Sequence, residues 1–463
     1  MKAVMKFGGR CVEDGAMIRR SAKVVRDYVT KGWKIVAVVS AMAGVTDSLL
    51  ESLNRAEKGD MEHVFKFIEK LKVRHADALK EAVKDPSIKR EVEEELEKEE
   101  KELERLLAVE AYLREVTPRT RDYALSFGER LSTRIFWGSL RDQGLKSTYL
   151  TGWEAGIVTD DCFGSARPIM ALTSRLLRER LLPLLEEDIV PTVTGFIAAT
   201  SDGIVTTLGR GGSDYTATII GAALKVDEVV VWKDVDGVMT ADPKLVPEAR
   251  TIPIMSYEEV TELAYFGAKV MHPLALDPAV KEGIPLRVKN IYKPSEKGTL
   301  ITKVESEGVV KAVTMIKDAA IVTVSGASMV EAPTINVEVL RSLSEVGVQA
   351  IMVSQGSSQA SISLAIPRAM LDKAVKSIKR RLGGEGYRIE YEDDACVIAV
   401  IGAGMKGTPG VAARVFGAVA EENVNIRMIA QGSSELNISF VVKESDGMKA
   451  LKALHREFGL SES

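Results

Sequence analysis

LGRGGSDYTATIIGAAL, residues Leu208 to Leu224, is the stretch whose reading decides the fold. Ile204 to Thr207 ahead of it is rich in β-branched residues. From Tyr215 onward, apolar and small residues recur as in a buried helix, so Gly209, Gly211 and Gly212 fall at a strand-to-helix junction. Such a junction suits an anion: glycines admit close backbone approach, Ser213 and Asp214 are good N-cap types, and the N–H groups of a helix start point at a ligand. Arg210 adds a planar cation matched to carboxylate or phosphate. An ordinary glycine turn capped by Ser213 would show the same residues, so the motif alone does not decide.

A second junction of the same kind stands at the N-terminus. Ala3 to Lys6 has the pattern of a short buried strand and Phe7-Gly8-Gly9 that of a tight turn. Glu13 to Lys31 follows as a helix with Ile18, Ala22, Val25 and Val29 on one face. Lys6 is thereby placed at the carboxyl end of a strand beside a glycine turn. Two such junctions predict an open α/β sheet with its ligand crevice at the carboxyl edge of the strands. Neither is a GxxxxGK[ST] phosphate loop, and neither completes GxGxxG.

Outward from these two points, Lys34 to Val39 is a buried strand leading into SAMAGVTD, which offers Ser40 and Thr46 to a substrate loop or to a helix cap. Asp60 to Tyr112 is helical with a break near Pro86. Its run Glu91 to Glu104 holds nine glutamates over a narrow face of Val92, Leu96 and Leu103, the pattern of a solvated helical hairpin. Arg121 to Gly138 is a helix that carries Glu129 in its middle, and an exposed helix glutamate deserves little weight by spacing alone. A helix over Thr173 to Glu186 and strands at Ile189 to Val193 and Val229 to Trp232 follow, the last ending in KDVDGVMTADP. Tyr257 to Met271 is predicted as a helix carrying Lys269, and Ile284 to Lys289 closes a domain spanning about residues 1–300.

At 463 residues the chain has room for two or three domains. With 62 basic against 66 acidic residues and a net charge of -4, nothing favours nucleic-acid binding. Three scattered cysteines argue against a disulfide framework and fit a reducing, cytoplasmic setting. MKAVMKFGG reaches glycine before an apolar segment develops, and no run of membrane-spanning length occurs, so neither a secretory leader nor a membrane is expected.

The last third contains a repeat. AIVTVSGASM from Ala320 matches CVIAVIGAGM from Cys396, and SQGSSQASIS from Ser354 matches AQGSSELNIS from Ala430, both offset by 76 residues. Each copy follows a βαββαβ pattern, helices on one face of an antiparallel sheet. The second copy ends at the helix Gly447 to Phe458 and lacks its final strand. Val309 to Ile316, VVKAVTMI, has no role in the first copy and is expected to complete the second. The modules then comprise residues 317–394, inserted within residues 309–316 plus 395–463.

KFGG at Lys6, SFGERLS at Ser126, GRGGSDYTA at Gly209, DVDGVMTADP at Asp234, ELAYFGAKVMHP at Glu262 and the paired QGSS segments together resemble the aspartate kinase family over essentially the whole chain. The resemblance implies a three-layer αβα amino-acid-kinase domain with a helical insert near 60–115, followed by two α+β ACT modules. It implies transfer of the γ-phosphoryl of ATP, with Mg²⁺, to the β-carboxylate of L-aspartate, the first step towards lysine, threonine and methionine. On the matching positions Lys6, Asp214 and Lys269 would be catalytic, and Thr46, Glu129, Arg210 and Ser213 would bind aspartate. The nucleotide would meet Lys6, Gly8, Gly9, Gly211, Gly212, Lys233, Asp234, Asp242 and Lys244. An amino-acid effector, lysine or threonine, would meet Ser328, Met329, Gln355, Gly356, Ser357, Gln431 and Asn437, and a homodimer through the ACT modules or a larger homo-oligomer is implied. No residue is assigned to a metal. The chain departs from the family pattern at Arg10, Cys11 and Lys233. Cys11, at a helix start near Lys6, would have a lowered thiol pKa or be a small buried residue. Two other readings stay open: a catalytically weak, ACT-bearing regulatory paralogue, and a kinase for another small carboxylic acid, against which Glu129 argues by suiting a free ammonium.

Overall fold

Short runs of β-branched residues, five or six long, pair in parallel because each is followed by a helix that returns the chain to the same edge. The computed structural model describes residues 1–268, 271–304, 308–326, 332–356, 361–383 and 386–461, the side chains of 332–334 excepted. In chain order the elements begin β1 (Lys2–Phe7), α1 (Gly15–Val29), β2 (Lys34–Val39), α2 (Val45–Ala56), α3 (Met61–Ala82), α4 (Pro86–Leu113) and α5 (Pro118–Asp142). Next come β3 (Ser147–Leu150), α6 (Gly152–Ala155), β4 (Val158–Thr159), α7 (Met170–Glu186), β5 (Val190–Thr194), β6 (Ile197–Thr200), β7 (Val205–Thr207), α8 (Gly212–Leu224) and β8 (Glu228–Lys233). Then follow β9 (Ile254–Ser256), α9 (Tyr257–Tyr265), α10 (Pro273–Glu282), β10 (Leu286–Asn290) and β11 (Thr299–Thr302). The last third is β12 (Ala312–Gly326), α11 (Ala332–Glu345), β13 (Met352–Gln355), β14 (Ser361–Pro367), α12 (Leu371–Leu382), β15 (Tyr387–Ile401), α13 (Val411–Glu421), β16 (Ile426–Ala430), β17 (Asn437–Lys443) and α14 (Glu444–Glu457).

Two units result. One holds Met1–Val238 with Met271–Lys303, the other Met239–Val270 with Val304–Ser463. In the first unit, β3, β5, β2, β1, β8, β10 and β11 are neighbours in that order. Lys6 stands level with Val38 and Val231, and Phe7 with Val39 and Trp232, so the ends of β1, β2 and β8 coincide. Side chains alternate across the sheet: Ala3, Met5 and Phe7 enter the core shared with α1, α2 and α5, while Lys6 turns to the other face and reaches α8. The strand ahead of the glycine loop, β7, pairs with β6 in a separate three-stranded sheet. The two glycine junctions therefore do not close one sheet, although their side chains meet.

The acidic helix α4 is more than a solvated face. Glu99 is buried and takes ion pairs from Arg130 and, at 2.5 Å, Arg134 of α5, and Glu95 meets Arg134 at 2.9 Å. Charge on this helix thus fastens the insert to the α/β core.

In the second unit a six-stranded antiparallel sheet runs β13-β14-β12-β15-β17-β16. Both β12 and β15 are 15 residues long and serve both repeats. Ala312 to Ile316 pairs with Val397 to Ile401, and Ala319 to Gly326 continues along Tyr387 to Ala395 and along β14. The register shifts between Ile316 and Ala319, where Asp318 takes φ 55°. Residues 239–268, within the expected kinase domain, also pack with this unit: the Val313 N–H donates to the Thr240 carbonyl at 2.9 Å, and Thr240 Oγ1 meets His455 Nε2 at 3.0 Å. The predicted helix Tyr257 to Met271 ends at Tyr265, closed by Phe266-Gly267 with Gly267 at φ 89°. Among the described residues no helix is long and apolar enough to cross a membrane.

Candidate functional site

The site is built where β1, β2 and β8 end together. Gly8 follows β1, and its N–H donates to the Trp232 carbonyl at 3.3 Å, stitching the turn to the end of β8. Gly9 lies so close to the next loop that a Cβ there would stand 3.1 Å from the Ala41 carbonyl oxygen and 3.3 Å from Ala43 Cα. That loop is pinned from two sides. Arg74 donates to the Ala43 and Glu13 carbonyls at 2.8 and 3.2 Å, and Ser132 Oγ to the Ser40 carbonyl at 2.8 Å.

Lys6 and Asp214 are both buried, with Nζ 2.6 Å from Oδ1, an ion pair rather than a well-aligned hydrogen bond. Lys233, at the end of β8, brings a second ammonium to 3.9 Å from Oδ2. Burial works against ionisation of Asp214, yet the charges of Lys6 and Lys233 hold its carboxyl below the usual carboxylate range. Lys233 is lowered by burial and by repulsion from Lys6, with Asp214 opposing. Asp214 also occupies the first turn of α8, where a negative charge complements the helix dipole. Two cations thus stand beside one buried carboxylate at the strand ends.

Beyond the Ala41 loop sits Glu129 of α5. It is 3 % exposed and not the solvated helix residue its spacing suggested. Gly128 beside it makes this possible: a Cβ there would approach Ala41 Cβ to 3.0 Å. Glu129 Oε1 accepts the Ala41 N–H at 3.1 Å, whereas Oε2 is buried with no hydrogen-bond partner among the described residues. Burial pushes its carboxyl up to about 8, against the Ala41 amide and the Lys6 charge. A buried carboxylate oxygen without a donor is costly unless a cation or donor arrives with a ligand.

The remaining sequence candidates divide. Thr46, the second residue of α2, and Ser213 of α8 are half-buried, with Gly195 packed against Ser213. Arg210 and Asp234 are exposed. Gly211 and Gly212 are also required by packing. A Cβ on Gly211 would strike His272 at 2.4 Å, one on Gly212 would strike Phe196 at 2.7 Å, and the Gly212 N–H already donates to the Gly209 carbonyl. The helix N-cap is Gly211, not Ser213 or Asp214. Asp242 and Lys244, expected on the nucleotide side, fold with the second unit, where Asp242 Oδ1 accepts the Lys244 N–H at 2.9 Å. Lys269 lies outside the described residues. Arg10 points away to pair with Glu13 at 3.0 Å. Cys11 is fully buried, its thiol 3.3 Å from the Trp232 carbonyl and raised to about 12 by burial, which overturns the expectation of a lowered pKa. Arg74, Ser132 and His272 were not found from sequence. Ser132, one helical turn beyond Glu129, and His272, within ELAYFGAKVMHP, did leave a signal.

In the second unit, Gln355, Gly356 and Gln431 are exposed, and half-buried Asn437 donates to Glu262. Ser328, Met329 and Ser357 lie outside the described residues.

The chain has clear relatives. Residues 1–290 match the amino acid kinase family, and residues 322–382 and 398–458 each match the ACT domain. Aspartokinase 1, chloroplastic, of Arabidopsis thaliana is 34 % identical over 466 residues, 98 % of this chain and 80 % of that protein. Among solved structures, E. coli aspartokinase III with aspartate and ADP in its R-state superposes with a TM-score of 0.83 at 30 % identity, over 99 % of this chain and 100 % of that one. The same enzyme with lysine and aspartate in its T-state gives 0.82 at 30 % identity, over 98 % and 99 %. The three-layer α/β unit and the antiparallel sheet that follows it are those of this group, and the chain belongs to the amino acid kinase family as an aspartokinase with ACT domains.

Proposed function

We propose that this protein transfers the γ-phosphoryl group of ATP to the β-carboxylate of L-aspartate, entering the route to lysine, threonine and methionine. The observation that carries the reading is the pairing of two sites across one loop. Lys6 and Lys233 bring two ammonium groups to the strand ends beside Asp214, and Glu129 offers a buried oxygen without a hydrogen-bond partner among the described residues.

The chemistry fits this division. A carboxylate is already ionised at neutral pH, so the nucleophile needs no general base. The difficulty is that an anion must approach a triphosphate, and rate comes from fixed positive charge and positioning. Lys6 is the group that follows the transferred phosphoryl, with Asp214 holding it in place and Lys233 supporting the nucleotide. The Gly8-Gly9 turn leaves room for phosphate beside Lys6. Arg210 takes the α-carboxylate as a bidentate partner, Glu129 the ammonium, and Thr46 and Ser213 add hydrogen bonds. The exposed carboxylate of Asp234, beside Lys233, is the donor type that Mg²⁺ combines with phosphate oxygens. The ion would supply charge neutralisation there. In the second unit, lysine or threonine acting as an effector at the ACT modules, and association of chains through them, belong to the same proposal. The lysine complex of the E. coli relative supports the choice of effector.

A hydroxamate assay for acyl phosphate, run with ATP and L-aspartate, D-aspartate or N-acetylglutamate, tests the reading. Product with L-aspartate alone is expected. Product only with the N-acylated acid would reject Glu129 as the ammonium partner.

A further inference from the structure

Away from the crevice, the solvent face of α1 gathers cations. Arg19, Arg20, Lys23 and Arg26 recur at helical spacing, so they stack along one stripe of the helix. Lys84, just beyond the end of α3, joins them around a groove of about 560 Å³, in which Glu81 is the one lining carboxylate. The groove belongs to a chain with an acidic excess, and elsewhere, among the described residues, arginines such as Arg130, Arg134, Arg381 and Arg427 have found carboxylates. Here they have not. Among the described residues, Arg20, Lys23 and Lys84 have no acidic partner: Arg20 lies over the Tyr292 ring at 5.2 Å, and Lys84 Nζ is 3.4 Å from the Lys80 carbonyl. Arg26 has only its neighbour Asp27, at 3.4 Å. Arg19 is spent on Asp142 and the Ala82 carbonyl, and this fixes the wall of the groove.

Like charges set side by side repel, and an anion that bridges them removes the repulsion and gains charge-assisted hydrogen bonds. Arg19 to Arg26 spans about 10 Å along the helix, enough to follow two or three linked phosphates. Arginine forks suit phosphate oxygens, and the flanking lysines add point charge. We propose that this groove is a second anion site, for a small ligand bearing linked phosphates, independent of the phosphoryl-transfer site at Lys6.

Calorimetric titration of the full chain with sodium tripolyphosphate, at fixed ionic strength, tests this. Two binding events are expected. Arg20→Glu with Lys23→Glu removes one, weakening it by about tenfold for each reversed cation, while turnover with aspartate stays unchanged. Lys6→Met removes the other and keeps the groove's. Arg20→Gln with Lys23→Gln serves if the charge reversals disturb folding, and weakens the same event less. A single event in the unaltered chain, or two in the reversed variant, overturns the proposal. So does equal binding of orthophosphate at matched ionic strength, or an affinity for RNA that grows with its length.

Discussion

Two buried lysine–carboxylate pairs, one in each unit, show how the same chemistry serves different ends. Lys6 and Asp214 stand 2.6 Å apart in the first, and Lys311 and Glu259 stand 2.8 Å apart in the second. Glu259 is saturated. Its Oε1 accepts the Ala403 N–H at 2.7 Å, and its Oε2 accepts the Ser256 N–H at 2.8 Å in a capping box as well as the Lys311 ammonium. Asp214 has two ammonium groups beside it and, among the described residues, no such set of fixed donors. The saturated pair ties α9 to the strand and loop of the ACT sheet, and nothing is left over for a ligand. The other sets two ammonium groups against one carboxylate. Excess or missing partners, not burial itself, mark where a ligand belongs.

This contrast can be broken by mutation. Lys6→Met is expected to lower kcat by about 10²- to 10³-fold, the usual effect of removing one group that meets transition-state charge. Stability should change by less than about 1 kcal/mol, because Lys233 still neutralises Asp214 and the repulsion between the lysines is relieved. Steady-state kinetics and a denaturant melt check both halves. Lys311→Met should do the reverse. It strands a fully buried carboxylate and costs about 3 to 5 kcal/mol, while turnover per folded molecule holds. Pairing it with Glu259→Met should recover most of the loss. If the two lysine variants lose stability alike, the distinction between the sites fails.

A smaller effect sharpens the substrate side. Arg210→Ala should raise the KM for aspartate by about tenfold or more through loss of a bidentate contact, with the KM for ATP nearly unchanged. Comparable weakening of ATP would move Arg210 to the phosphate side. The smallest effect is expected at Cys11, where alkylation should be slow and equally slow with and without ATP, since the thiol is buried and raised to about 12. Protection by ATP would show that the turn opens.

Much of this was legible in the sequence, because strand ends and glycine turns are local patterns. The strand Lys34 to Val39 is found as predicted, and Lys6 lies at a strand end. Burial was not legible. Glu129 looked like a surface residue because its burial depends on Gly128 fitting against Ala41, a contact 87 residues distant in the chain. Nor does anything in the sequence show that His272 and Phe196 fill the space beside Gly211 and Gly212. Residues 239–268 lie in the stretch that matches the kinase family yet also pack with the second unit, and that packing was not legible for the same reason. Their motifs follow a kinase strand, but their partners, Val313 and His455, come much later in the chain.

The claim that an unmet oxygen marks the substrate's place is tested most directly by the pH dependence of aspartate binding. Glu129 has its carboxyl raised from 4.5 to about 8. The folded protein therefore holds a proton that the unfolded chain releases, and this residue lowers stability as pH rises from 4.5 towards 8. Only the ionised form can take an ammonium. The KM for L-aspartate should thus fall as pH rises towards about 8 and level off above it, while the KM for ATP stays flat. Glu129→Gln should abolish this dependence, raise the KM at every pH and raise the melting temperature near pH 8. A KM for aspartate that is independent of pH in the unaltered protein, or a Glu129→Gln variant with the same profile, would contradict the account.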